Sequence, residues 1–293
     1  MPPRNAAKGP KRATAEVPKG PKRATAEGFR FSVDWFSEHA PAWDAVLRPR
    51  LARGSGSGTT IRALFVGAYE GRAVVWLLRD LLGDSGRSVE VTVVEDFAGR
   101  GGSSGGSGSR VGCVMDRGRP VPSPDGGSAA FEHNARLAVE GAEKGRGRGG
   151  RTVELVRLPH AEGLLAVRTR ELQRRSRAAS DAFYDLVYVD GRSSRQAMEA
   201  AVLAFPLVRP GTGIMIMSNY VHSRDHGPSC PRRGVDGFLD AYAPELRVLR
   251  SAFHLVLERR AAPFAVPGCR SEHHEATEAV PDPPCPASPA KGM

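Results

Sequence analysis

The residues with the type and spacing to do chemistry fall at the ends of apolar runs. Gly67 and Gly71 bracket Ala68, Tyr69 and Glu70 directly after the run 61–66, IRALFV. Two glycines at that spacing allow a sharp turn without a Cβ clash and let a ligand come close to the main chain. Glu95, followed by Asp96 and Phe97, closes a second run that is rich in valine, and Asp190 closes a third, YDLVYV. After Asn219 and Tyr220 come His222, Asp225, His226 and Cys230. An imidazole such as that of His222 can serve as a general base near neutral pH. The loop imposes no geometry on these side chains, so no metal site is assigned to them.

The elements that must position these residues alternate between strand and helix. The run 61–66 has strand length, and Val74, Val75, Leu77, Leu78, Leu81 and Leu82 then follow a helical period. Strand, glycine turn and helix open a parallel α/β sheet, with the turn at the carboxyl edge where such folds bind ligands. Further strands are expected at 88–94, 153–158, 184–189 and 214–217. Helices are expected at 40–51, 128–142, 162–177, 195–208 and 234–242. In the helix 162–177, Leu164, Leu165, Val167 and Leu172 are assigned inward, leaving an Arg-rich outer face to solvent. Segments 246–249 and 253–258 lie too close together for a crossover helix and must pair antiparallel.

Composition sets the limits. The chain has 293 residues and a net charge of +10. Residues 1–28 carry KGPKRATAE twice, with seven Lys/Arg against two Glu, and read as a disordered basic arm. Residues 98–127 are a Gly/Ser/Pro insertion and residues 261–293 a Pro-rich tail, both too polar to fold alone. The foldable domain is 29–260, long enough for a substantial core. The arm and the basic loop 144–151 suit weak, salt-sensitive association with nucleic acid. Four cysteines without a CxxC pair point to neither a disulfide framework nor a zinc module. No long apolar span or signal-like opening is present, so no membrane partner is expected and an intracellular, soluble protein is.

Taken together, the glycine turn, the acid after the second strand and the closing hairpin resemble a class I S-adenosylmethionine-dependent methyltransferase. The group with motifs E-I-G-x-x-x-G, I-D, F-x-x-N, D-x-I-Y-I-D-G-x-H and D-[DN]-Y is the one matched. Here these read Phe65-Val66-Gly67 to Gly71, Val94-Glu95, Phe131 to Asn134, Asp185 to Asp190-Gly191 and Ser218-Asn219-Tyr220. The resemblance implies a Rossmann-like sheet of seven strands, mostly parallel, with a terminal antiparallel hairpin and helices on both faces. It also implies the cofactor S-adenosyl-L-methionine. Gly67, Ala68, Tyr69 and Gly71 would wrap its methionine part, and Glu95 would accept from both ribose hydroxyls. Asp96 and Phe97 would flank the adenine. Asp190, with Asn219 and His222, would face the sulfonium and a hydroxyl or amine acceptor. The glycine pattern is not GxGxxG and GK[ST] is absent, against nicotinamide and P-loop readings.

Three positions depart from the family pattern. Phe65 stands where an acid opens the first motif. Ser193 or Ser194 stands for the histidine, and Ser218 for one carboxylate of the pair that holds Mg2+ in metal-assisted relatives. A hard cation needs charged oxygens, so this site is short of one. Two functions therefore stay open on the residues: methyl transfer to an unidentified small acceptor, and a catalytically inactive binding or scaffold module of the same fold.

Overall fold

The computed structural model describes residues 28–31, 34–53, 60–97, 114–116, 119–121, 127–143, 149–178, 183–220 and 230–261. The basic arm, most of the insertion, the loop 221–229 that carries His222, and the tail lie outside them.

Strands β1 (Ile61–Val66), β2 (Val89–Val94), β5 (Arg151–Val156), β6 (Leu186–Val189), β7 (Ile214–Met217), β8 (Leu246–Ser251) and β9 (Leu255–Arg259) form one seven-stranded sheet in the order β5-β2-β1-β6-β7-β9-β8. The first five run parallel, and β9 is antiparallel to both β7 and β8. Strand order reverses at β1/β6, and open α/β sheets bind ligands at the carboxyl ends of the strands flanking such a point. Within the insertion, β3 (Val114–Asp116) and β4 (Arg119–Val121) make a separate antiparallel ribbon, which the glycine-rich composition does not announce.

Side-chain alternation splits the sheet into two faces. Ala63, Phe65, Val91, Val93, Leu186, Tyr188, Ile216 and Val256 look toward α1 (Ala40–Arg53), α2 (Arg72–Trp76) and α3 (Ser128–Glu143). Leu64, Val66, Val187, Val189, Met215, Met217 and Leu257 look toward α4 (His160–Ala178), α5 (Ser194–Ala204) and α6 (Pro231–Tyr242). The helix after the glycine turn does not stay α: at Leu77–Leu81 it widens to a π-turn, closed by the Leu82 N–H donating to the Leu77 carbonyl at 3.0 Å.

Two expectations need correction. Strand β5 begins at Arg151 and ends at Val156, two residues earlier than its apolar content suggests, and Leu158 is exposed. Arg151 is buried and donates to the carbonyls of Leu82 and Gly83 at 2.9 and 2.7 Å, so it closes the end of the π-turn and is not part of a basic loop offered to a polyanion. In α4, Leu164 and Val167 face inward but Leu165 and Leu172 are each 50% exposed. The inward stripe continues instead to Glu171, at 0% exposure, seven residues and two turns after Leu164. Its carboxylate lies 2.9 Å from the buried Arg62 of β1, so a paired charge took the place that apolarity alone gave to leucine.

Among the described residues, no helix is long and apolar enough to cross a membrane.

Candidate active site at the carboxyl edge of the sheet

The carboxyl ends of β1, β2, β6 and β7 bring the sequence candidates together. Gly67 leaves β1 in left-handed backbone (φ 83°), with its N–H on the Val94 carbonyl at 3.0 Å. The turn Ala68 to Gly71 closes with the Gly71 N–H on the Ala68 carbonyl at 2.9 Å, and both Tyr69 (φ 53°) and Gly71 (φ 79°) are left-handed. The closest neighbours of both glycines come from the chain itself. A Cβ at Gly67 would lie 2.9 Å from the Asp190 Cβ and 3.3 Å from the His160 ring; one at Gly71 would lie 2.8 Å from the Phe131 ring.

Glu95, one residue past β2, is 1% exposed and turns its carboxylate back onto the turn: Oε2 accepts from the Tyr69 N–H at 2.8 Å. A carboxylate has about four lone-pair sites, so this bond leaves it capable of further acceptance. Asp96 and Phe97 are half-buried beside it. The Phe97 ring lies 6.2 Å from that of Phe131 and 5.8 Å from the Arg157 guanidinium.

Asp190 follows β6, with its N–H on the Val66 carbonyl at 2.8 Å. Asn219, in left-handed backbone after β7, donates from Nδ2 to Asp190 Oδ1 at 2.7 Å. The amide nitrogen, and not its oxygen, therefore faces the carboxylate. With Ser218 buried at the position of the second acid, the donor set does not fit a Mg2+ ion, which takes oxygen ligands. Among the described residues, no group of three His, Cys, Asp or Glu is placed to hold a metal. Ser193, where the family motif has histidine, caps α5: its Oγ accepts from the Gln196 N–H at 3.3 Å. Phe65 is a core side chain on the α1 face, its ring 5.6 Å from Tyr188.

His222 lies outside the described residues. The imidazole that the described structure does bring to the glycine turn is His160, the first residue of α4. Sequence reasoning passed over it because a histidine opening a helix carries no spacing signal. Asn134 was quoted only as part of a motif, and the structure gives it a task. Fully buried, it accepts from the Arg30 N–H at 2.7 Å and donates to the Arg30 and Glu70 carbonyls at 2.7 and 2.9 Å. It thereby ties the segment leading to α1 onto the glycine turn. Arg72 adds a second tie, to Asp34 at 2.7 Å and the Ser37 hydroxyl at 3.0 Å.

No family model matches the chain, and no curated protein matches it. Solved structures of similar shape include the O-methyltransferase from Bacillus cereus in complex with SAH, 14% identical over 78% of this chain and 82% of that one, with a TM-score of 0.46. They also include the O-methyltransferase TomG from Streptomyces achromogenes in complex with SAM, 17% identical over 78% and 82%, with a TM-score of 0.43. A third is the SAH-bound methyltransferase PaMTH1 from Podospora anserina, 16% identical over 76% and 79%, with a TM-score of 0.42.

Proposed function

We propose that the chain is an S-adenosylmethionine-dependent methyltransferase acting on a small-molecule hydroxyl or amine. The observation that carries this is the Glu95 carboxylate, held at the end of β2 against the left-handed turn after β1 by the Tyr69 N–H. It lies at the carboxyl end of the sheet beside the point where strand order reverses, the place where such folds bind ligands.

The cofactor, when bound, supplies a methyl group on a positively charged sulfur. Glu95 would accept from the ribose hydroxyls, Gly67 to Gly71 would present backbone to the methionine part, and Asp96 and Phe97 would border the adenine. Asp190, oriented by Asn219, places a negative charge beside the turn, where it favours a cationic sulfonium and accepts a hydrogen bond from the incoming acceptor. His160 adds an imidazole next to Gly67 that can take the acceptor's proton. Displacement at a methyl group depends chiefly on alignment of the two reactants, so a site with few strong acids and bases suffices. Mg2+ takes no part in this scheme, since the Asp190–Asn219 pair does not fit it.

Calorimetric titration with S-adenosylmethionine and S-adenosylhomocysteine tests the proposal. Micromolar binding, weakened about tenfold or more by Glu95→Gln as expected for a charged hydrogen bond, supports it. No heat at millimolar ligand removes it and leaves the binding-module alternative.

A further inference from the structure

Tyr188 and His254 each bury a polar atom that has no hydrogen-bond partner, the phenolic oxygen in one and Nε2 in the other. The residues are 1% and 4% exposed. Buried polar groups are nearly always satisfied, so two orphans in one cluster call for an explanation. The Ser218 hydroxyl lies near enough to act on the phenol, but no hydrogen bond of acceptable geometry joins them.

The chemistry each atom offers is fixed by its surroundings. His254 Nδ1 accepts from the Trp43 indole N–H at 3.1 Å, so it carries no proton. Burial, and then His39, lower the pKa of the ring to about 3, which keeps it neutral. Its one proton is therefore on Nε2, and Nε2–H is a donor. Burial first, and the Asp190 carboxylate next, hold the Tyr188 phenol well above its usual 10, so it too keeps its proton.

Both donors sit at the carboxyl edge. Tyr188 is two residues before Asp190, and His254 precedes Leu255, which pairs with Met217 just before Ser218 and Asn219. Their rings, 6.4 Å apart, share the indole of Trp43 as an aromatic wall, and Phe65 lies against Tyr188. The indole of Trp35 lies against both, stacked on Tyr188 at 6.4 Å and edge-on to His254 at 6.4 Å, while His39 and Phe253 lie against His254 at 4.6 and 4.9 Å. Trp35 is half-buried, lies in the irregular stretch before α1, and its indole offers a donor and no acceptor. It shields the two orphans, and in this arrangement it satisfies neither.

We propose that this is the seat of the methyl acceptor: a planar, uncharged compound with a carbonyl or ether oxygen takes the place of the Trp35 indole and receives hydrogen bonds from His254 Nε2–H and the Tyr188 hydroxyl. Planarity follows from the aromatic walls. An ammonium would find only the phenolic oxygen to accept from it and would meet the Nε2–H donor, and a carboxylate would be buried beside a histidine that carries no charge. The identity of the ligand as a methyl acceptor rests on the methyltransferase reading; its binding does not.

The three tryptophans of the chain, Trp35, Trp43 and Trp76, all belong to this cluster, so intrinsic fluorescence reports on it. The full chain is titrated with 1-indanone and with indane, which has the same shape without the oxygen. The expected result is a saturable change with the ketone at a Kd about tenfold below that for indane, as for one or two buried hydrogen bonds. Tyr188→Phe and His254→Phe reduce that preference, and His254→Gln, which can replace both the acceptor and the donor, retains it. Equal response to the two probes, no saturation by either, or a full preference in both phenylalanine variants overturns the proposal. Should His254→Phe not fold, Tyr188→Phe, which removes only the orphan hydroxyl, decides. Calorimetry with S-adenosylhomocysteine separates the two readings. Ketone preference without cofactor binding leaves the subsite and removes the transferase, and cofactor binding without ketone preference does the reverse.

Discussion

Asn219 holds the Asp190 carboxylate through its amide nitrogen at 2.7 Å, from a left-handed backbone position two residues past β7. The hydrogen bond does there what a cation does between two acids, fixing the carboxylate without a second negative charge. Asn219→Asp replaces the donor by a like charge, while keeping a residue type that tolerates φ > 0. The variant should lose about 1–3 kcal/mol in chelator-treated buffer, seen as a lower Tm, and millimolar Mg2+ should restore part of the loss. The wild-type Tm should not respond to Mg2+. A wild-type increase would return a metal to this site.

Gly67 and Gly71 should both resist substitution, for separable reasons. At each the backbone is left-handed, and at each a Cβ meets a neighbour closer than real Cβ contacts allow. Alanine there costs on the order of 1–3 kcal/mol from backbone strain alone. At Gly71 the obstruction is a ring edge that a partner change can remove, so Phe131→Leu should recover part of the Gly71→Ala loss. At Gly67 the obstruction includes the Asp190 carbonyl, 3.2 Å from the new atom, which no side-chain change relieves. Chemical denaturation of the two alanine variants and of Gly71→Ala/Phe131→Leu checks this. Additive losses in the double variant would show that the clash contributes nothing.

The sheet was legible in the sequence because its signal is local. A strand buried on both faces reads as a short apolar run, and β1, β6 and β7 do; two strands too close for a crossover must pair antiparallel, and β8 and β9 do. What escaped was set by partners distant in sequence. Glu171 is inside α4 because Arg62 waits for it on β1, and no helical period can report a residue 109 positions away. Asn134 and His160 reached the site by the folding of α3 and α4 against the glycine turn. His254 had a usable signal: it shares strand parity with Val256, which points to the α1 face, while Leu255 and Leu257 point to the other. In a hairpin strand as short as β9 that parity emerges only once the face of Val256 is known.

The Arg62–Glu171 pair bears on stability and not on the site. Glu171 Oε1 is 2.9 Å from Arg62 and 3.5 Å from both Arg170 and Arg174, and accepts from the Tyr184 hydroxyl at 3.3 Å. Removing Glu171 leaves the buried Arg62 with only the half-exposed Glu90, 3.3 Å from its Nε, so Glu171→Ala should cost up to about 3–5 kcal/mol. Arg62→Met with Glu171→Leu together should cost much less, because no charge is then left buried. Urea unfolding of the single and double variants distinguishes these. A double variant as unstable as Glu171→Ala would mean that shape, rather than charge, sets the cost.

The acid sensitivity of the fold should carry the mark of His254. Its folded pKa is lowered to about 3 by burial and by His39, against 6.5 for an ordinary histidine. Between those values the unfolded chain binds one proton that the folded chain refuses. Stability from this group is therefore complete above about pH 6.5 and declines as pH falls below it, by about 1.4 kcal/mol per unit. Titrating groups away from His254 contribute equally to the wild type and to a single-site variant, and with His39, whose ring lies 4.6 Å away, replaced by Gln in both, the difference between them isolates this slope. In His254→Gln, where the side-chain carbonyl keeps the Trp43 N–H satisfied, unfolding free energies at pH 7.5, 6.5, 5.5 and 4.5 should fall less steeply than in the wild type below pH 6.5 and run parallel above it. Parallel profiles over the whole range would mean that the histidine takes up its proton in the folded state. That proton would go to Nδ1, at the expense of the bond it accepts from the Trp43 N–H, while Nε2–H would remain a donor.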